Sequence, residues 1–211
     1  MPVEDAGVDL TGTHKLREML LRAMNILEAP VLPHVCVSPG CANDARYRCR
    51  DCDMEGLACH NCLLSAHLHL PFHNPEKWMD THFSRITLRE LGLVLYLGHG
   101  GEACPHTTTR SGIQPMTIVD TTGIHEVAVG WCRCANHPAF ADQLLSRRFI
   151  PATVTRPKTA FTFRVLKLFQ MLNHVAKTTP WDFTGTITRL TDNLNPRGVP
   201  VSPQILEFDH C

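Results

Sequence analysis

Apolar positions change period several times along the chain, and each change marks a candidate element. Leu16, Met19, Leu20, Ala23, Met24 and Leu27 recur at helical spacing after Thr13, and Pro30 and Pro33 bar continuation. This predicts a helix that docks its stripe on the rest of the protein, since the run is short for a coiled coil or a partner-binding helix. Leucines at 91, 93, 95 and 97 alternate, which predicts a half-buried strand over Leu88–Leu97. Met116–Val119 and Ile124–Cys134 alternate again around Asp120-Thr-Thr-Gly123, the signature of a hairpin turn. Val127, Val129 and Trp131 fall on one side of the second strand, and Ala128, Gly130, Cys132 and Cys134 on the other. Helical spacing returns at Phe140–Arg148 and over Phe161–Lys177, where Phe161, Val165, Leu168, Leu172 and Val175 form one stripe. Trp181–Leu190 predicts a final helix. Residues 1–12 read as a flexible leader, and the Pro/Gly-rich sequence after Asn193 as a disordered tail.

The predicted fold class is α+β, a small cross-brace metal-binding module followed by a β-hairpin or short sheet with packed helices. The predicted partition is a leader and amphipathic helix at 1–33, the metal module at 34–79, an α+β cysteine-cluster region at 80–193 and a tail at 194–211. At 211 residues and 44% hydrophobic content the chain can bury a real core, although the stretch before residue 80 is too short and polar to supply one alone.

Charge divides the chain unevenly. Net charge is zero, so no global basic footprint marks a nucleic-acid binder. Residues 1–79 carry seven Lys/Arg against ten Asp/Glu, while residues 80–193 carry twelve against eight. Ten cysteines in a short secreted chain would suggest disulfides. Met1 is followed by acidic and polar sequence with no secretory signal or long apolar run, which favours metal in a reducing compartment and an intracellular, soluble protein with no membrane or small-molecule partner.

The metal reading rests on spacing. Cys36/Cys41, Cys49/Cys52, Cys59/Cys62 and His67/His73 form four couples, each able to chelate two positions of a tetrahedral zinc. In a cross-brace, Cys36, Cys41, Cys59 and Cys62 hold the first zinc, and Cys49, Cys52, His67 and His73 the second. Sequential pairing uses the same residues. His69 competes with His67, and His60 reads as a bystander. Six Cys followed by two His resembles B-box and ZZ fingers and departs from the RING order that a ubiquitin ligase would need. Cys132-Arg-Cys134 supplies a second group; with Cys104 and one of His99, His106 or His137 it completes a third site, so two zinc ions are expected and a third if this group is metallated. Packed free thiols beside Trp131 are the plainer alternative. Cys211 is expected to be unliganded.

Little points to an enzyme. A Cys–His pair from Cys104 or Cys132 with His99 or His125 lacks a marked oxyanion hole. Asp120, Glu126, Asp142 and Asp192 share no spacing that would gather catalytic metals, and Asp120 reads as a turn residue. Gly98-His-Gly-Gly101 lacks the Lys and Ser/Thr of a phosphate loop. Arg46, Arg48 and Arg50 read as charge that offsets nearby thiolates and acids.

Several stretches together resemble one family. Cys49-Arg-Asp-Cys52, Cys59-His-Asn-Cys62 and Leu70-Pro-Phe-His73 come first, followed by Leu97-Gly-His99 with Cys104-Pro105. Val119-Asp-Thr-Thr-Gly-Ile-His125, Trp131-Cys-Arg-Cys134, Phe149-Ile-Pro-Ala-Thr153, Pro157-Lys-Thr-Ala-Phe-Thr-Phe163 and Thr191-Asp-Asn193 complete the set. From about residue 34 to 193 this resembles the second type of CxC-like cysteine cluster associated with KDZ (Kyakuja–Dileera–Zisupton) transposases, abundant in fungal genomes. The resemblance implies a nuclear, non-catalytic zinc-binding accessory domain that contacts transposon DNA, chromatin or a partner protein. The RNase H-like catalytic domain would follow Thr191-Asp-Asn193, so this sequence alone is expected neither to cut nor to join DNA. Arg147, Arg148, Arg156 and Lys158 are the expected phosphate contacts if DNA is bound. A B-box-like adaptor for protein contacts is the second reading.

Overall fold

Two antiparallel hairpins of very different size seed two sheets. The computed structural model describes residues 10–106 and 112–200. Its elements are helix α1 (Leu10–Glu28), β1 (Tyr47–Cys49), α2 (His60–Ala66), β2 (Pro75–Trp78), β3 (Phe83–Arg85), β4 (Val94–Tyr96), β5 (Ile113–Asp120), β6 (Gly123–Gly130), α3 (Phe140–Ser146), β7 (Phe149–Pro151), β8 (Thr159–Thr162), α4 (Phe163–Ala176) and α5 (Pro180–Thr191). The fold is α+β. The small sheet has the order β1-β2-β3, and the large one β4-β6-β5-β8-β7.

The large sheet is built on the predicted hairpin. β5 and β6 pair antiparallel from Ile113↔Gly130 to Asp120↔Gly123, so the turn sits where Asp120-Thr-Thr-Gly123 placed it. β4 joins β6 and β8 joins β5 in parallel, and β7 closes the edge against β8. Both faces are covered. Ile118, Val127, Val129 and Trp131 pack with Leu144 of α3 and Phe149 of β7, while Val119, Ile124 and Phe161 pack with Val165 of α4 and Phe183 and Ile187 of α5. Adjacent Ile118 and Val119 thus serve opposite cores, as a period of two demands.

The alternating leucines are all buried, but only Val94–Tyr96 is strand. Thr87–Gly92 forms a turn instead, in which Glu90 Oε2 accepts from the Thr87 amide and hydroxyl. Leu88, Leu91 and Leu93 serve the core of the small sheet, and Leu95 and Leu97 that of the large one. The expected Phe161–Lys177 helix starts later, because Phe161 belongs to β8 and the Thr162 hydroxyl caps α4 by accepting from the Val165 amide. Its buried face is also rotated: Val165, Leu166, Phe169 and Leu172 pack inward, while Leu168, Met171 and Val175 are exposed.

Two further expectations are corrected. The stripe of α1 does not dock: Leu16, Met19, Leu20 and Met24 are 50%, 59%, 51% and 58% exposed. The helix is tied to the body through Glu28, which accepts from Arg48. The tail is structured at its start, where Pro196–Gly198 forms a 3-10 turn and Val199 packs against the α4/α5 core. The rest of the expected tail, from residue 201 on, lies outside the described residues, as do Cys211 and the leader up to residue 9. No helix among the described residues is long and apolar enough to cross a membrane.

Candidate metal centres

Each of the three centres is assembled by turns that the backbone makes locally. Gly40, with φ of +75°, turns the chain between Cys36 and Cys41. Cys49 ends β1, Cys59 caps the start of α2, Cys62 lies in its first turn, and His67 caps its end. Hairpin pairing of Cys49 with Pro75 across β1 and β2 carries the His73 loop back to Cys49 and Cys52. The structure therefore brings together Cys36, Cys41, Cys59 and Cys62 in one group and Cys49, Cys52, His67 and His73 in another. This is the cross-braced arrangement rather than the sequential one. His69 and His60 stand outside; His60 packs edge-on against Tyr47.

A third group joins His99, Cys104, Cys132 and Cys134. β6 ends at Gly130, so both downstream thiols lie just past the strand and not on it. Gly98 makes the approach possible: a Cβ there would stand 2.7 Å from Cys132 Cβ. Left-handed His99 (φ 52°) then turns its ring onto the thiols. The side chain of buried Gln143 braces the loop, accepting from the Cys132 amide and donating to its carbonyl. His106 is exposed and outside the group, and His137 contacts the Pro138 carbonyl.

The donor spacing tests what such groups can hold. A tetrahedral ion with thiolate bonds of about 2.3 Å and imidazole bonds of about 2.0 Å sets S···S edges near 3.8 Å and S···N edges near 3.5 Å. Cys41 and Cys59 sulfurs are 3.8 Å apart, as are those of Cys104 and Cys134. Cys49 and Cys52 lie 3.6 and 3.3 Å from His73 Nδ1, and Cys52 lies 3.4 Å from His67 Nε2. His99 Nε2 is 3.4 Å from Cys132 and 3.5 Å from Cys134. His67 Nδ1 lies 2.7 Å from the Leu63 carbonyl, an acceptor only; Nδ1 must therefore carry the proton and leave the Nε2 lone pair facing the thiols. All three groups fit a small tetrahedral cation with four protein ligands.

Electrostatics supports the same reading. Burial opposes ionisation of Cys36, yet bonds from the Cys59 amide and from Ser38 lower its thiol to about 6. Burial and bonding to Cys49 push Cys52 up to about 11, and the bond to Cys132, burial and Cys104 do the same to Cys134. In each group one thiol, Cys62, Cys52 or Cys134, is pushed up with neighbouring cysteines among the causes. A dication removes that conflict, because it is what lets several adjacent thiols ionise together.

Sequence reasoning missed the join between the two sheets. Phe72, one residue before His73, is buried in the core of the large sheet against Phe149. The Thr122 hydroxyl lies 2.8 Å from the Phe72 carbonyl and 2.9 Å from His125 Nε2. Asp120, read as a turn residue, is fully buried and accepts from Thr122, Thr162 and Arg164. Burial opposes its charge, but the Arg164 and Thr162 bonds hold its carboxyl below the usual range. Asp120-Thr-Thr at a turn was visible; that it would face inward depended on what packed over it.

The basic residues separate. Arg147 and Arg148 precede β7, whereas Arg156 and Lys158 lie in the loop between β7 and β8, at the other end of that hairpin. Arg46, Arg48 and Arg50 are paired with carboxylates of Asp44, Asp80, Glu28 and Glu76.

Comparison with curated proteins and with solved structures found no match. The model of the CxC2-like cysteine cluster associated with KDZ transposases matches residues 88–195. That span includes the third group and excludes the first two. Since it covers just over half of the 211 residues, and includes the His99, Cys104, Cys132 and Cys134 cluster, the chain belongs to the family of CxC2-like cysteine clusters associated with KDZ transposases.

Proposed function

We propose that the chain is a non-catalytic zinc-binding accessory module of a KDZ-type transposase, acting in the nucleus by binding nucleic acid or chromatin. The observation that carries this reading is the closed character of the three donor groups. Each offers four ligand atoms within 4.8 Å of one another, which leaves no coordination position for water or substrate. Zinc suits them because thiolate and imidazole donors at tetrahedral spacing match its bond lengths, and its role is then to hold the backbone. Cys36, Cys41, Cys59 and Cys62 are the proposed ligands of one ion, Cys49, Cys52, His67 and His73 of the second, and His99, Cys104, Cys132 and Cys134 of the third. Metal analysis of protein purified without chelator is expected to give three zinc ions per chain; none would overturn the reading.

Binding to nucleic acid is supported by the family and by cationic side chains with no carboxylate partner among the described residues. Arg147, Arg148, Arg156 and Lys158 are among them. A duplex titration over a salt series is expected to show affinity falling as salt rises. Binding that is absent or salt-insensitive with duplex and single strand alike would favour the second reading, an adaptor for a partner protein, for which the exposed apolar stripe of α1 speaks.

A further inference from the structure

A cavity of about 350 Å³ opens between the loop that carries the second centre's histidines and the start of α4. His69, Leu70 and Phe72 wall it on one side, and Arg147, Arg148 and Arg164 on the other. No carboxylate lines it. Arg164 bonds Asp120 through Nε, which pairs that buried acid. Arg147 and Arg148, which both line the cavity, have no carboxylate partner among the described residues; Arg147 Nη1 lies beside Gly101. Arg148 adopts φ of 63°, a region that non-glycine residues seldom enter. The backbone holds it there: its amide donates to Leu145 and its carbonyl accepts from Phe163. This is the left-handed position that ends α3, and it fixes where Arg148 leaves the helix.

The size and lining narrow the ligand. The cavity is larger than an inorganic anion requires and falls within the range of small organic ligands. Phe163, 42% exposed, belongs to the same lining as the three arginines. Planar forked donors suit phosphate oxygens, and an exposed ring suits a base, which together describe how single strands are held. We propose that this pocket takes one nucleotide of a single-stranded nucleic acid, its phosphate on Arg147, Arg148 and Arg164 and its base against Phe163. The assignment rests on the nucleic-acid reading above and sharpens it from duplex backbone to single strand. One wall is the loop between His67 and His73, so metal in the second centre also shapes this pocket.

The test uses the metal-replete full chain and a labelled single strand of about ten nucleotides, within the usual site size of strand-binding folds. A duplex of the same sequence, dAMP and inorganic phosphate are compared with it. Arg147→Ser combined with Arg148→Gly removes both charges and keeps the left-handed backbone. It is expected to weaken strand binding on the order of tenfold at about 0.1 M salt and to lower the salt slope by about 1.4 for two lost phosphate contacts. Phe163→Ala is expected to weaken binding roughly 5- to 100-fold with the slope unchanged, as loss of a stack does. dAMP is expected to compete better than phosphate. Strand binding by both variants with wild-type affinity and slope would overturn the pocket while leaving nucleic-acid binding intact. Wild-type protein that binds dAMP through the arginines but neither strand nor duplex would overturn the nucleic-acid reading and leave a nucleotide pocket.

Discussion

The two cysteine-rich regions use their ligands in opposite ways. In the first, the donors are the core: Cys36, Cys49 and Cys59 are buried among Leu57, Leu63, Leu88, Leu91 and Leu93, around strands of three and four residues. In the second, His99, Cys104, Cys132 and Cys134 sit at the rim of a five-stranded sheet whose two cores contain none of them. Small β-units cannot bury enough apolar surface to hold themselves together, and a bound metal would supply what is missing; a hairpin of two eight-residue strands with helices on both faces has no such need. The same ligand chemistry, once metallated, would therefore found one region and pin a loop in the other.

Metal removal gives the largest test of this contrast. Chelation is expected to unfold the region around Cys36–Leu93, with apparent losses on the order of 10 kcal/mol per structural site, while the five-stranded sheet keeps its amide protection. Hydrogen exchange that collapses equally in both regions would erase the distinction. Cys132→Ser should instead lower metal content from three ions to two and cost about 3 kcal/mol or less, read by chemical denaturation. Loss of all metal in this variant would show that the centres depend on one another.

Acid probes the join between the regions. Burial lowers His125 to about 4, so in the fold it stays neutral while the unfolded imidazole, with a pKa of about 6.5, takes up a proton. The stability this group supports is present above about pH 6.5 and is lost as pH falls towards 4, with a slope of at most about 1.4 kcal/mol per pH unit. His125→Gln should flatten that slope in excess zinc, and an unchanged slope would reassign the acid sensitivity to the metal ligands. The smallest effect is expected on α1. Met19→Ser with Met24→Ser should change stability by no more than about 0.5 kcal/mol per site, because both side chains are exposed. A larger loss would mean that the helix docks after all.

Legibility followed the range of the interaction that set each feature. The hairpin turn at Asp120–Gly123 and the helices at Phe140 and Trp181 were readable because turn chemistry and periodicity act over a few residues. The rotated face of α4 was not, since Phe161 continues the helical stripe by spacing yet pairs with Val119 and Ile150 in the sheet. The undocked α1 had a clear stripe, but amphipathicity states only that a face wants cover. Of the four basic residues expected to meet phosphate if DNA is bound, Arg147 and Arg148 line one pocket with Arg164, which the sequence reading did not name, and Arg156 and Lys158 do not; the loop from Leu70 to His73 lines the same pocket.

By itself, then, the sequence determined the chemistry: which residues can ligate metal, in couples two to six residues apart, and that an α+β core follows them. Close couples need only a local turn to become a chelate, so spacing suffices. Only the tertiary structure decided which couples share a centre, that His99 rather than His106 or His137 joins Cys104, Cys132 and Cys134, and that Phe72 is buried in the larger sheet. These choices bring together groups up to about thirty-five residues apart, and what selects them is the packing of the elements between, which no local pattern encodes.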